Sequence, residues 1–207
     1  MKIIIFGATG GIGSQVVSQA LEQGHTVTAF ARSAEKVGIR HENLSIAVGD
    51  VMDPGSLETA ITGQDAVLVS IGAGRKGQVR SAGTQNIISA MNKVGVRRLI
   101  CQSSLGVGDS RTNLNAFWKY IMFGFLLRPA YADHTLQENY VRQSDLDWTI
   151  VRPGAFIEGE HTGHYRHGFA DNDKTTQLKI SRSDVADFML KQLLDKTYLF
   201  KSPGLSY

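Results

Sequence analysis

The sequence predicts an α/β chain of the Rossmann type, a doubly wound parallel sheet built as a single domain over residues 1–207. Three observations carry that expectation. Short β-branched runs alternate with amphipathic stretches from end to end, the first run leads straight into a glycine-rich turn, and no repeat or proline-rich linker divides the chain. At 207 residues there is room for one real core without disulfides or a structural metal. A composition of 42% hydrophobic and 20% charged residues is that of an ordinary globular protein.

Taken in order, Lys2–Phe6, Thr26–Ala31, Leu44–Val48, Ala66–Ile71, Arg98–Gln102 and Trp148–Val151 read as strands buried on both faces, each bounded by Gly, Asp or Ser. Between the first two, Ile12–Gln23 places Val16, Val17, Ala20 and Leu21 on one helical stripe and stops at Gly24. Pro54-Gly55 opens a further helix, and Gln78–Lys93 is a helix that stops at Gly95. Asn113–Arg142 reads as predominantly helical and gathers Phe117, Trp118, Tyr120, Phe123, Phe125, Tyr131 and Tyr140. These aromatics fit core, a wall for a flat ligand, or a subunit interface. Pro153–Lys174 shows no period and reads as a loop covering a substrate site.

Composition also bounds the function. The single cysteine, Cys101, excludes an internal disulfide and any CxxC metal site, and its apolar strand makes it a buried, inert thiol. Because residues 2 to 6 already read as a strand, no signal or transit peptide is expected, and the expected compartment is cytoplasmic. The most apolar stretch, Tyr120–Leu127, is far shorter than the roughly 20 residues of a membrane span, so no membrane partner is expected. Net charge is +3 with Lys and Arg scattered, which argues against nucleic acid and suits a small anionic ligand.

The strongest motif is Gly7-Ala8-Thr9-Gly10-Gly11-Ile12-Gly13, between the first strand and the first helix. Gly7 lets the chain leave the strand, Gly10 lets backbone approach a pyrophosphate, and Gly13 lets helix and strand pack closely. The amides of Gly11 and Ile12 then stand at the positive end of the helix, where a phosphate is held. Thr9 belongs to the same turn. An NAD site usually ends its second strand on Asp or Glu, but here the strand ends Ala31-Arg32-Ser33, with Lys36 one turn on. A guanidinium suits a 2′-phosphate, so NADPH is the expected cofactor. Asp50 and Val51 stand where a carboxylate and an aliphatic side chain meet adenine, unless Asp50 serves only its own turn. Ile71 and Gly72 would line the ribose side, and Arg75, Ser103, Pro153, Gly154, Ala155 and Phe156 complete the expected cofactor contacts.

With Gly7–Gly13, Arg32, Gly49-Asp50-Val51, Ser103-Ser104 and Arg152-Pro153-Gly154 in this order, the chain resembles the atypical short-chain dehydrogenase/reductase superfamily in its NAD(P)H-binding, NmrA-like branch. Gly63-Gln64-Asp65-Ala66-Val67, Asp133-His134, Ile180-Ser181, Asp184 and Phe188-Met189-Leu190 make it most similar to the biliverdin reductase B family, also called NADPH flavin reductase. The resemblance implies hydride transfer from NADPH to a planar acceptor, a diffusing flavin such as FMN or riboflavin, or a biliverdin-type linear tetrapyrrole. It also implies an acceptor stacked over the nicotinamide in a shallow pocket. The chain departs from mammalian members of that family at Ala155, where they have histidine, and along Glu158–Asn172.

The wider superfamily's Tyr-x-x-x-Lys pair is missing, since Tyr120, Tyr131 and Tyr140 are followed at the fourth place by Gly124, Thr135 and Ser144. Alcohol–ketone chemistry thus lacks its proton carrier, whereas a flavin needs chiefly two rings held parallel. Ser104 is the leading catalytic candidate, as a positioning hydroxyl at the carboxyl end of the fifth strand, unless it caps the next turn. His134, at the start of a helix after Asp133, is the second. His161, His164 and His167 with Glu158 and Glu160 are spaced unlike a helical ligand pair, so no metal is expected. The competing reading is an NmrA-like regulator that senses NADP(H) without turnover. The expected assembly is a monomer or weak homodimer.

Overall fold

Ile3, Ile4, Ile5 and Phe6 are wholly buried, and the strand they form runs through the interior of the sheet in the computed structural model, which describes residues 1–72, 74 and 78–207. The strands are β1 (Lys2–Phe6), β2 (Thr26–Ala31), β3 (Leu44–Val48), β4 (Ala66–Val69), β5 (Arg98–Gln102), β6 (Asp147–Pro153), β7 (Ala155–Ile157), β8 (Arg166–His167), β9 (Lys179–Ser181) and β10 (Gly204–Ser206). The α-helices are α1 (Gly11–Glu22), α2 (Pro54–Ile61), α3 (Val79–Val94), α4 (Arg128–Arg142) and α5 (Arg182–Lys191). The main sheet runs β3-β2-β1-β4-β5-β6-β10-β8, parallel except for β8, and β7 pairs with β9 in a small second sheet. This is the single-domain Rossmann-type arrangement that the alternation of strands and helices predicts.

Alternation within the strands sorts the core into two layers. Ile3, Ile5, Leu68 and Ile100 meet α1 and α5 on one face, while Ile4, Phe6, Val67 and Leu99 meet α2, α3 and Val141 of α4 on the other. Asp53 starts α2 by accepting from Gly55 N at 3.2 Å. Gly95, in the left-handed region at φ 77°, stops α3. Cys101 is buried in the second layer, where burial pushes its thiol up.

Four features differ from the sequence reading. β3 is not buried on both faces, because it is the sheet edge and leaves Ile46 and Val48 exposed. His134 does not start a helix: α4 begins at Arg128-Pro129, and His134 lies buried further along it. The aromatic stretch Phe117–Leu126 winds as a π-helix, with Leu127 N reaching back to Met122 O at 2.7 Å. Finally, the chain after residue 174 adds β9, α5 and β10. Leu205 of β10 pairs with Pro153 of β6 and is fully buried.

Candidate functional site

β1 delivers the chain to Gly7 at the carboxyl end of the sheet, and the turn there has no space for a side chain at Gly7 or at Gly13. Gly7 has φ +83°, and a Cβ on it would lie 2.3 Å from the Ser70 carbonyl oxygen; one on Gly13 would lie 2.1 Å from that of Gly7. Gly10 donates to Gly7 O at 2.9 Å and caps α1 without any side-chain acceptor. The first turn of α1, at Gly11, Ile12 and Gly13, carries no acid. Its N–H groups are the donor set a phosphate takes up, and the close backbone gives the phosphate access. The residues present therefore fit the pyrophosphate of a dinucleotide.

A cleft of about 460 Å³ surrounds this turn. Gly7, Thr9 and Gly10 line it from the turn and Arg32 from the end of β2. Asp50 and Val51 line it from the loop after β3, and Ile71 and Gly72 from the loop after β4. Phe30, Met52 and Val79 join them, and no motif marks those three in the sequence. Val51 is held by Asn86 Nδ2, 3.0 Å from its carbonyl oxygen, and packs on Gly83, where a Cβ would lie 2.8 Å from Val51 Cγ2. Asp50 Oδ1 accepts from Met52 N at 2.9 Å, so one carboxylate oxygen serves the turn.

Arg32 is exposed at the rim and makes no ion pair among the described residues. Ser33 and Lys36 are not brought to the cleft lining. Ser33 Oγ donates to Glu35 Oε2 at 2.5 Å, and exposed Lys36 ends the short 3-10 helix Ala34–Lys36. Arg75 lies outside the described residues.

The ends of β5 and β6 build a second pocket of about 300 Å³. Ser103 and Ser104 line it after β5, and Gly154, Ala155 and Phe156 after β6. Pro153 is buried behind them and accepts from Leu105 N at 2.8 Å. A Cβ on Gly154 would lie 2.6 Å from the Leu178 carbonyl carbon, so this close approach also demands glycine. Trp118, Phe123 and Leu127 form an apolar wall. Gly72 lines the cleft and Gly74 the pocket, so the loop after β4 borders both spaces.

The polar end of the pocket is short of proton carriers. His134 reaches it from α4, its Nδ1 3.5 Å from Ser103 Oγ. Burial, and then the Arg80 guanidinium, pull the imidazole down to about 3, so it is neutral at physiological pH. Arg80 pairs with Asp133 at 3.0 Å, both buried, and Asp133 also accepts from Ser81 N at 3.0 Å, which fastens α4 to α3. Ser104 is half-buried and donates to Leu105 O at 3.3 Å. Among the described residues no tyrosine and no lysine lines this pocket. Sequence reasoning missed Arg80, whose only signal was the Asp133-His134 pair that it meets across 53 positions.

Of the long segment read as a covering loop, residues 154–156 line the pocket and the rest is fastened elsewhere. Fully buried Asp184 accepts from Thr162 N at 2.8 Å, Thr162 Oγ1 at 2.8 Å, Gly163 N at 3.0 Å and Tyr207 Oη at 2.6 Å. These donors hold its carboxyl below the ordinary carboxylate range against the opposing effect of burial. Asp187 takes Tyr165 Oη and faces His161 at 3.5 Å, and His167 Nδ1 lies 2.7 Å from Tyr198 Oη. Among the described residues no three metal-ligating side chains converge. No helix among them is long and apolar enough to cross a membrane.

A family model described as NAD(P)H-binding matches residues 7–196. The photosystem II assembly factor Ycf39 of Synechocystis is 27% identical over 92% of this chain and 58% of its own length. The chain thus spans little more than half of that relative. Among solved structures, ChuY of Escherichia coli O157:H7, described as an anaerobillin reductase, has a TM-score of 0.82 at 24% identity, over 100% of this chain and 97% of its own. A short-chain dehydrogenase/reductase of Veillonella parvula in complex with NADP has a TM-score of 0.82 at 21% identity, over 100% of this chain and 94% of its own. At these identities the two structures show the shared fold.

Proposed function

The chain belongs to the NAD(P)H-binding family, and from that premise we propose that it is an NADPH-dependent reductase of flat conjugated acceptors, a free flavin or a biliverdin-type linear tetrapyrrole. The observation that carries the proposal is the pocket beside the nucleotide cleft, walled by Trp118, Phe123 and Leu127 and without a tyrosine–lysine pair. NADPH supplies a hydride when bound. The Gly7–Gly13 turn and the start of α1 hold its pyrophosphate, Arg32 answers its 2′-phosphate, and Asp50 and Val51 receive the adenine.

The residues of the second pocket orient and exclude rather than protonate. The apolar wall keeps water from one side and offers faces on which a planar ring stacks. Ser103 and Ser104 present hydroxyls to a carbonyl or ring nitrogen, Ser104 by turning its one proton away from the Leu105 carbonyl, and neutral His134 stands beside Ser103. An acceptor that spreads its new charge over a conjugated system needs no protein acid in the hydride step, which suits this set of side chains. Ala155, where mammalian relatives of the resembled family carry histidine, leaves the β6 side of the pocket small and apolar.

The test is NADPH oxidation followed at 340 nm with FMN, riboflavin and biliverdin offered separately and NADH as the control. Turnover with a flat acceptor and preference for NADPH is the expected result. Tight NADP(H) binding with no turnover on any acceptor would sink the reductase and favour a nucleotide sensor.

A further inference from the structure

The π-helical segment Phe117–Leu126 leaves an apolar face without a partner in the fold. Phe123 is its one buried residue, whereas Phe117, Tyr120, Ile121, Phe125 and Leu126 are exposed, Tyr120 by 70% and Phe125 by 78%. Winding explains the grouping. With i→i+5 hydrogen bonds, residues four and five apart share a row, so Phe117, Ile121 and Leu126 form one row and Tyr120 and Phe125 the next. A contiguous aromatic surface of this kind marks an interaction site.

Charge selects the partner. From residue 110 to 132 the chain has no carboxylate, while Arg111, Lys119 and Arg128 fall within that stretch. The flanking acids are already engaged, Asp109 with Arg152 and Asp133 with Arg80. Among the described residues none of the three cations is in an ion pair. Arg111 lies over the Tyr131 ring at 5.5 Å, but aromatic and aliphatic side chains flanked by Lys119 and Arg128 suit the headgroup region of an anionic bilayer. A second copy fits less well, because a two-fold contact would gather the same cations from both chains with no carboxylate on the segment to meet them.

We propose that Phe117–Leu126 seats this protein on the surface of a membrane carrying anionic phospholipid, with Phe117, Tyr120 and Phe125 entering the interface and Lys119 and Arg128 meeting the headgroups. A helix lying in the interface needs no spanning length, so the short apolar run Tyr120–Leu127, which excludes a span, is no obstacle. The proposal stands apart from the reductase reading, since none of Phe117, Tyr120 and Phe125 lines either pocket.

Sedimentation of the protein with vesicles of phosphatidylglycerol and phosphatidylcholine, against phosphatidylcholine alone, tests it. The expected result is binding to the anionic vesicles, weakened about tenfold or more on neutral vesicles or at 0.5 M salt, as screening requires of ~0.5 M ionic strength. Tyr120→Ser with Phe125→Ser, and separately Lys119→Glu with Arg128→Glu, should each abolish binding while leaving NADPH affinity unchanged. No preference of the wild-type chain for anionic over neutral vesicles would overturn the proposal. So would a dimer in sedimentation equilibrium that Phe125→Ser dissociates, which would make the face a contact between copies.

Discussion

Replacing Arg32 by alanine is expected to weaken NADPH binding about 10- to 100-fold and leave NADH nearly unchanged, because one charge-assisted phosphate contact contributes roughly 1.5–3 kcal/mol. Equal loss for both cofactors, measured by titration, would remove Arg32 from the 2′-phosphate. Ser104→Ala should lower kcat by less than about 100-fold, the scale of a positioning hydroxyl; a fall of ~10⁴-fold would make Ser104 a proton donor. His134 predicts a pH dependence. The unfolded chain takes up a proton near the ordinary value of 6.5 and the folded chain only near 3, so stability is full above the higher value and declines as pH falls through the window. The slope from this residue approaches about 1.4 kcal/mol per pH unit. Urea midpoints between pH 7 and 4 should therefore fall less in His134→Asn than in the wild type. At this scale the glycine turn and the place of Arg32 on the cleft were legible in the sequence, because each follows from the strand that it ends. Arg80 was not, because its role depends on meeting Asp133 from another helix.

Among the elements, the turn into α1 is the least tolerant. A methyl on Gly13 would fall on the Gly7 carbonyl, so Gly13→Ala should lose NADPH binding and lower the melting temperature together. α5 does a different task, since its acids hold the segment after β7. Asp184→Ala should cost about 2–3 kcal/mol, as several donors lose a buried acceptor, and should admit proteolysis near residues 158–168 while affinity for NADPH stays. Unchanged proteolysis would mean that the segment is held by other contacts. α1 and α3 could be read from apolar spacing and their terminal glycines. The segment's attachment could not be read, because a loop without period gives no sign of which distant carboxylate will take its N–H groups.

For the whole molecule, β10 extends the sheet beyond β6, where Gly154 N donates to Leu205 O at 2.8 Å, and Tyr207 N, just after β10, donates to Lys179 O of β9 at 3.0 Å. Both the wall from 154 to 156 and the clamp at Asp184 rest on this strand. Truncation after Ser202 is therefore expected to cost about 4 kcal/mol or more, combining the loss of a buried leucine with unmet backbone bonds. A truncated chain that melts like the full one would show that β6 needs no outer neighbour.

The sequence by itself determined the Rossmann-type sheet, the glycine turn into α1 and the gathering of Arg32, Asp50 and Val51 around the cleft beside it. Those follow from periodicity and from glycine's lack of a Cβ, properties a short segment carries wherever it is placed. Only the tertiary structure decided that His134 is buried and neutral, that Arg80 and Asp133 meet, and that the aromatic stretch divides into a pocket wall and an exposed face. Each of those depends on which side chains are brought together across the sheet, and burial and charge pairing exist only once they are.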